Sequence, residues 1–177
     1  NATMNVLVVL AHHERRSFNG ALFDTAVAAL SEVGHTVVTS DLHRMNFDPV
    51  SDRRNFTAAK DPAYLKQQVE EVHATEAAGF VPDLETEIRK VEACDLMIWQ
   101  SPLWWFSVPA ILKGWVDRVF AMGRVYGGGR AYHTGMLRNK RAMLSVTIGG
   151  LEDAYVKDGR NGDINGILRP IQRGMLE

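Results

Sequence analysis

A chain of 177 residues is long enough for one domain with a sizeable apolar core. Apolar residues make up 46% and charged residues 23%, the balance of a soluble globule. A net charge of −1 argues against a nucleic-acid surface or a polybasic membrane patch, and a single cysteine, Cys94, excludes an internal disulfide framework, which fits a reducing, cytoplasmic setting. No apolar run reaches the roughly 18 residues that span a bilayer, so no stable membrane insertion is expected. "MNVLVVLA" lacks the basic start and the cleavage-like end of a signal peptide. "NAT" before Met4 is set aside from fold reasoning as an expression remnant.

Val6 to Ala11 is short, continuous and β-branched, the pattern of a strand buried on both faces. From Asn19 to Val33, Leu22, Ala26 and Leu30 recur on one face with Phe23 and Val27 beside them, which predicts a helix ended by Gly34. Thr36 to Leu42 reads as a second strand. His43 to Phe80 is long, polar and weakly patterned apart from a predicted helix around Ala63 to Ala77. Leu84, Ile88 and Val91 mark a helix opening near Asp83 after Pro82, and Asp95 to Trp99 is a third strand. Ser107 is the expected cap of a helix over Ile111 to Phe120, with Pro109 in its first turn. Arg141 to Ile148 is a fourth strand closed by Gly149-Gly150. Asp163 to Gly174 is an ambiguous segment, read as a helix interrupted by Pro170.

The order βαβ, a long insert, then αβαβ argues for a doubly wound α/β domain over residues 4–177: a parallel sheet, right-handed crossovers and helices on both faces. No strand follows the last helical pattern, so a final strand is expected beyond Glu177.

In such sheets ligands sit beyond the carboxyl ends of the strands. Three of these ends carry distinctive residues. "AHHERRSFN" (Ala11 to Asn19) holds neither a G-x-G-x-x-G nor a Walker loop, but His12, Ser17 and Asn19 bring side-chain donors to a helix N-terminus, where free N–H groups favour a phosphate. Capping of the helix by Ser17 or Asn19 explains that segment equally well. The second end is "SPLWWFSVP" (Ser101 to Pro109), where Trp104, Trp105 and Phe106 fall between a strand and a helix. Core packing is the usual fate of such rings; in a loop they form one wall of a flat pocket, with the backbone amides of Leu103 to Phe106 turned toward a ligand edge. The third is "TIGG" followed by "LEDAYVKDGRNGD": Gly149 and Gly150 let a backbone approach a planar ligand, with Tyr155 and Asn161 as hydrogen-bonding groups. Alone, that stretch reads better as a glycine turn. Together the three ends describe a phosphate site beside a flat, aromatic, amide-lined slot, and a flavin fits that description.

The segments "LAHHERRSFN", "SDLHRMNFDP", "SPLWWFSVPAILKGWVDRVF", "SVTIGG" and "GRNGD" resemble the NAD(P)H:quinone oxidoreductase (DT-diaphorase-like) family of flavodoxin-like flavoproteins, from about Met4 onward. The resemblance implies a homodimer that binds FAD rather than FMN. It implies that NADH or NADPH delivers a hydride and leaves before a quinone takes two electrons in the same slot. By motif, His12, Ser17, Phe18 and Asn19 would hold the FAD phosphates. Pro102, Leu103, Trp104, Trp105 and Phe106 would hold the isoalloxazine, Thr147, Gly149 and Gly150 its far edge. Tyr155 and Asn161 would be the catalytic pair facing the edge that gains negative charge. Trp105, Phe106, Tyr126 and Gly128 would line the quinone slot, Tyr126 reaching it from the partner chain.

Three departures from the family pattern bear on activity. Asn161 stands where many members have histidine, as in a branch that uses ordinary NAD(P)H poorly. Gly127-Gly128-Gly129 replaces bulkier slot residues. Arg173 and Glu177 stand where that branch carries a histidine pair for a metal, so no metal is expected. A one-electron flavodoxin-type carrier and a regulatory subunit of a potassium-efflux system are the competing readings; the near-neutral charge argues against the first.

Overall fold

The computed structural model describes residues 2–177. β1 (Asn5–Leu10), β2 (Thr36–Asp41), β3 (Leu96–Pro102) and β4 (Arg141–Thr147) form one parallel sheet in the order β2-β1-β3-β4. Alternation along β1 and β3 divides the core into two. Val6, Val8, Leu10 and Ile98 pack with Phe23 of α1 (Phe18–Glu32). Leu7, Val9, Met97 and Trp99 face α3 (Pro82–Ala93) and α4 (Ala110–Val119), whose Leu84, Ile88, Leu112 and Trp115 are fully buried. α2 (Gln67–Ala77) contributes Ala74 to that second core and α5 (Ile164–Gly174) contributes Ile171. The expected α/β architecture with helices on both faces is therefore present, and Cys94 is buried, its thiol pushed up by desolvation. None of the described helices is long and apolar enough to cross a membrane.

The structure corrects three local expectations. α2 begins at Gln67 rather than near Ala63 because local polar contacts take the preceding backbone elsewhere. The Glu70 carboxylate accepts the Lys60 and Asp61 N–H groups, and Asp61 Oδ1 accepts those of Ala63 and Tyr64, an Asx-type turn. Ser107 does not cap α4; its N–H and carbonyl both bond back to Trp104, and Pro109 occupies the cap position without a side-chain bond. α5 runs through Pro170 unbroken. Pro170 is exposed, while Ile171 on the adjoining face is 1% exposed and anchors the helix.

The β1–α1 loop folds back tightly onto α1. A Cβ at Gly20 would lie 1.9 Å from the Arg15 carbonyl oxygen, so only glycine admits this approach. Gly20→Ala must push the loop off the helix, an overpacking expected to cost about 1–3 kcal/mol. Urea unfolding of the flavin-free chain measures it; an unchanged midpoint would show that the loop moves freely.

Candidate functional site

The carboxyl ends of β1, β3 and β4 converge with the N-terminus of α1. Ser17 is the N-cap, its Oγ accepting the Gly20 N–H at 3.2 Å, so the capping interpretation of Ser17 holds. Among the described residues no acceptor meets the N–H groups of Phe18 and Asn19 in the first turn. The Phe18 side chain is 70% exposed beside them. The Asn19 side chain points inward instead and is 4% exposed. His12 Nδ1 lies 3.0 Å from the Glu14 N–H and 3.1 Å from the Glu14 carbonyl oxygen, so the Glu14 backbone holds the ring in either tautomer. Glu14 is held down to about 2, chiefly by its side-chain hydrogen bond to Arg16.

Two further histidines lie here: His13, beside His12 and expected near the phosphates, and His43, which the sequence does not single out. His13 stacks on His12 with centroids 4.6 Å apart and meets His43, from the β2 end, at 6.0 Å. Trp104 lies about as close to both His12 and His13. Burial, then the charge of His13, pushes the His43 pKa down. Among the described residues no group of three or more His, Cys, Asp or Glu side chains is arranged to hold a metal ion.

After β3 the chain makes a two-residue hairpin turn. Trp104 N–H donates to Ser107 O at 2.9 Å and Ser107 N–H to Trp104 O at 3.1 Å. Between them Trp105 and Phe106 have φ of 51° and 60°, the left-handed pair of a type I′ turn. Asn-Gly is the favoured sequence there; two large aromatic residues are held against their preference, a strain seen at ligand sites. The rings stand outward, Trp105 95% and Phe106 51% exposed. The expectation that all four amides from Leu103 to Phe106 face a ligand needs correction. Leu103 N–H extends the β3–β4 ladder to Thr147 O at 2.8 Å and Trp104 N–H closes the turn. Trp105 and Phe106 N–H alone, of the four, have no acceptor among the described residues.

Across from the turn, β4 runs out into Gly149-Gly150. A side chain at Gly149 would meet nothing within 4 Å, whereas one at Gly150 would lie 2.9 Å from the Tyr155 ring. Gly150 thus lets Tyr155, at the end of a 3-10 turn (Glu152–Tyr155), lie against the backbone. Asn161 N–H donates to Ala154 O at 2.8 Å, which brings Asn161 beside Tyr155. Both are half-buried, and neither side chain has a hydrogen-bond partner among the described residues. Pro102 is buried beneath this surface and Leu103 is half-buried. Thr147 closes β4 opposite Pro102.

Tyr126 and Gly128 are not brought to these strand ends within one chain. Tyr126 lines a separate cavity of about 950 Å³ with Gln68, Phe120, Tyr132 and Lys140, and none of the strand-end residues reaches it. Its hydroxyl accepts from Gln68 Nε2 at 3.1 Å. Gly128 lies open, at φ +61°. Arg173 pairs with Glu177 one turn on and lies over the Tyr132 ring, its guanidinium 3.9 Å from the centroid.

The residues of the strand ends fit a flavin nucleotide. Donors cluster at the α1 N-terminus, flat apolar rings flank two unmet N–H groups, and an uncovered glycine faces them.

The flavodoxin-like fold family matches residues 4–177. The chain is 47% identical over 176 residues to NAD(P)H dehydrogenase [quinone] 1 of Cavia porcellus, covering 99% of this chain and 64% of that protein. It therefore spans just under two thirds of that relative's length. It is 46% identical to ribosyldihydronicotinamide dehydrogenase [quinone] of Pongo abelii, covering 99% of this chain and 76% of that one. Among solved structures, a candidate quinone reductase from Klebsiella pneumoniae superposes with a TM-score of 0.93 at 40% identity, over 98% of this chain and 70% of that one.

The strained turn makes a measurable prediction. Replacing Trp105 with Asn and Phe106 with Gly supplies the residues a type I′ turn favours. The double variant should be more stable than wild type by about 1–2 kcal/mol in urea unfolding of the flavin-free chain, and should lose the aromatic wall. Equal or lower stability would mean that the turn is unstrained.

Proposed function

The chain belongs to the flavodoxin-like family, in its quinone oxidoreductase group, and on that premise we propose that it is a flavin-dependent two-electron quinone reductase driven by a reduced nicotinamide. The observation that carries the proposal is the β3–α4 turn: two unmet N–H groups between two exposed rings, facing an open glycine and the Tyr155–Asn161 pair.

FAD is the proposed cofactor. The His12 ring, the Ser17 hydroxyl and the N–H groups of Phe18 and Asn19 offer enough convergent polar groups for a diphosphate at a helix N-terminus, where the dipole adds to them. When bound, the flavin supplies a hydride acceptor that becomes a hydride donor without leaving the site. Trp105 and Phe106 hold the planar reactants and keep water from the exchanging face, and their N–H groups fix the ring's orientation. Tyr155 and Asn161 present donors to the edge that gains negative charge. The Asn161–Ala154 backbone bond brings the two residues side by side, ready to act on that edge together. A quinone that accepts the hydride takes its second hydrogen as a proton from solvent. NADH or NADPH leaves before the quinone enters.

The slot is proposed to be completed in a homodimer, because Tyr126 lines a different cavity of the same chain, Gly128 lies open two residues on, and a partner can bring both to the rings. A cytoplasmic location accords with the buried reduced thiol of Cys94.

Stopped-flow mixing of the flavin-loaded protein with NADH or NADPH, then with a quinone, tests the proposal. Bleaching without an added reductase and reoxidation by the quinone are expected; no bleaching by NADH, NADPH or a smaller dihydronicotinamide would indicate a one-electron carrier or a regulatory subunit. Asn161 donates but takes up no proton at neutral pH. The reductive rate should therefore show no step near pH 6.5 due to residue 161, and Asn161→His should introduce one at roughly that pKa. Identical pH profiles from 5.5 to 8.5 for the two proteins would remove residue 161 from the chemistry.

A further inference from the structure

Gln100 interrupts an apolar run, "LMIWQ", in a central strand. Alternation carries Leu96, Ile98 and Gln100 onto the α1 face of β3, so Gln100 lies under the first turn of α1, 3% exposed. A buried carboxamide requires partners on both its polar atoms. Gln100 Nε2 donates to Asn19 Oδ1 at 3.0 Å, and Asn19 Nδ2 donates to Thr147 Oγ1 at 2.9 Å. Asn19 is 4% exposed. The chain of bonds runs from β3 through α1 to the end of β4.

This chain has a direction. Once its oxygen is occupied by Gln100, the Asn19 carboxamide can turn only its nitrogen to Thr147. A hydroxyl that accepts from an N–H keeps its own hydrogen for another partner, and among the described residues none receives it. Thr147 is half-buried, between the open Gly149 and the β3–α4 turn that its carbonyl holds through Leu103.

We infer that Gln100 and Asn19 are positioning residues that set the direction of the Thr147 hydroxyl, presenting it as a donor to the flavin bound at the strand ends. The inference rests on the flavin reading above. A donor fixed against an electron-accepting ring strengthens as the ring is reduced, so the relay favours the reduced cofactor and raises its potential.

Gln100→Glu tests the direction. An ionised carboxyl of the same shape only accepts; burial raises its pKa and the protonated form would still donate, so the variant is measured above its own titration, where Asn19 must turn over, offer its oxygen to Thr147 and draw the hydroxyl inward. FAD affinity, read by fluorescence titration, should fall about fivefold, the usual worth of one neutral hydrogen bond. The reduction potential against a reference dye should fall as well. Thr147→Val should produce the same two changes, Thr147→Ser should produce neither, and the double variant Gln100→Glu/Thr147→Val should be no worse than either single one. If Thr147→Val alters both quantities and Gln100→Glu neither, Gln100 is a packing residue and the relay is wrong; an unaltered Thr147→Val removes the hydroxyl from the ligand.

Should circular dichroism show that Gln100→Glu does not fold, Gln100→Met removes the donor while leaving Asn19 free to turn. Its values should fall between wild type and Thr147→Val, and wild-type values would overturn the relay. Hydrogen exchange at the Asn19 carboxamide of the flavin-free chain separates the two proposals. Slowed exchange that is lost in Thr147→Val, in a wild type that binds no flavin, would count against the flavin reading alone.

Discussion

One buried carboxamide holds the candidate site together. Removed from water, Asn19 must find a partner for each polar atom, and it finds them on two different strands. The first turn of α1, the end of β3 and the end of β4 are thereby tied at one point. Packing in the core is nondirectional and would tolerate small sliding of α1 across the sheet. A pair of hydrogen bonds at about 3 Å does not, so the three loops that leave these elements start from fixed relative positions.

What those loops do with that frame differs. The loop after β1 is compact because Gly20 lets the Arg15 backbone lie on the helix, and it exposes N–H groups. The turn after β3 is forced: its two left-handed aromatic residues are held between the Leu103–Thr147 bond on one side and buried Val108 on the other. Such a turn cannot relax by burying its rings, which is why the largest side chains of the segment stand in solvent. The segment after β4 yields space, through Gly149, and closes it again with Tyr155 against Gly150. Donors, flat surface and clearance thus come from three pieces of chain that share no local sequence logic.

That separation governs how much could be read from the sequence. The buried β-branched run of β1 announces itself, and β1, β2 and β4 all fall within a residue or so of their expected limits. Helical periodicity placed α1, α3 and α4 equally well. β3 runs three residues past its predicted end because a polar Gln and Ser continue it, and polarity reads as a strand end unless a buried partner is known. Ser107 looked like a cap because Ser before Pro often is one; a turn defined by a pair of backbone bonds leaves no mark in residue type. The inward direction of the Asn19 side chain was equally hidden, since Gln100 is 81 and Thr147 128 residues away along the chain. The isolated Gln in an apolar strand was the one available clue.

The four indoles fall into two optical classes. Trp99 and Trp115 are fully buried, their rings edge-on at 6.1 Å, with Phe120 beside both. Trp104 and Trp105 stand in water at the rim of the site. Emission from the first pair belongs to the blue, from the second to the red, and a flavin absorbs across both. The outer pair, nearer the strand ends, would be dimmed most strongly. The molecule therefore carries a two-colour gauge of its own: an occupied rim dims both components and the red one most, and a red shift of the blue component in the flavin-free chain reports an opened core.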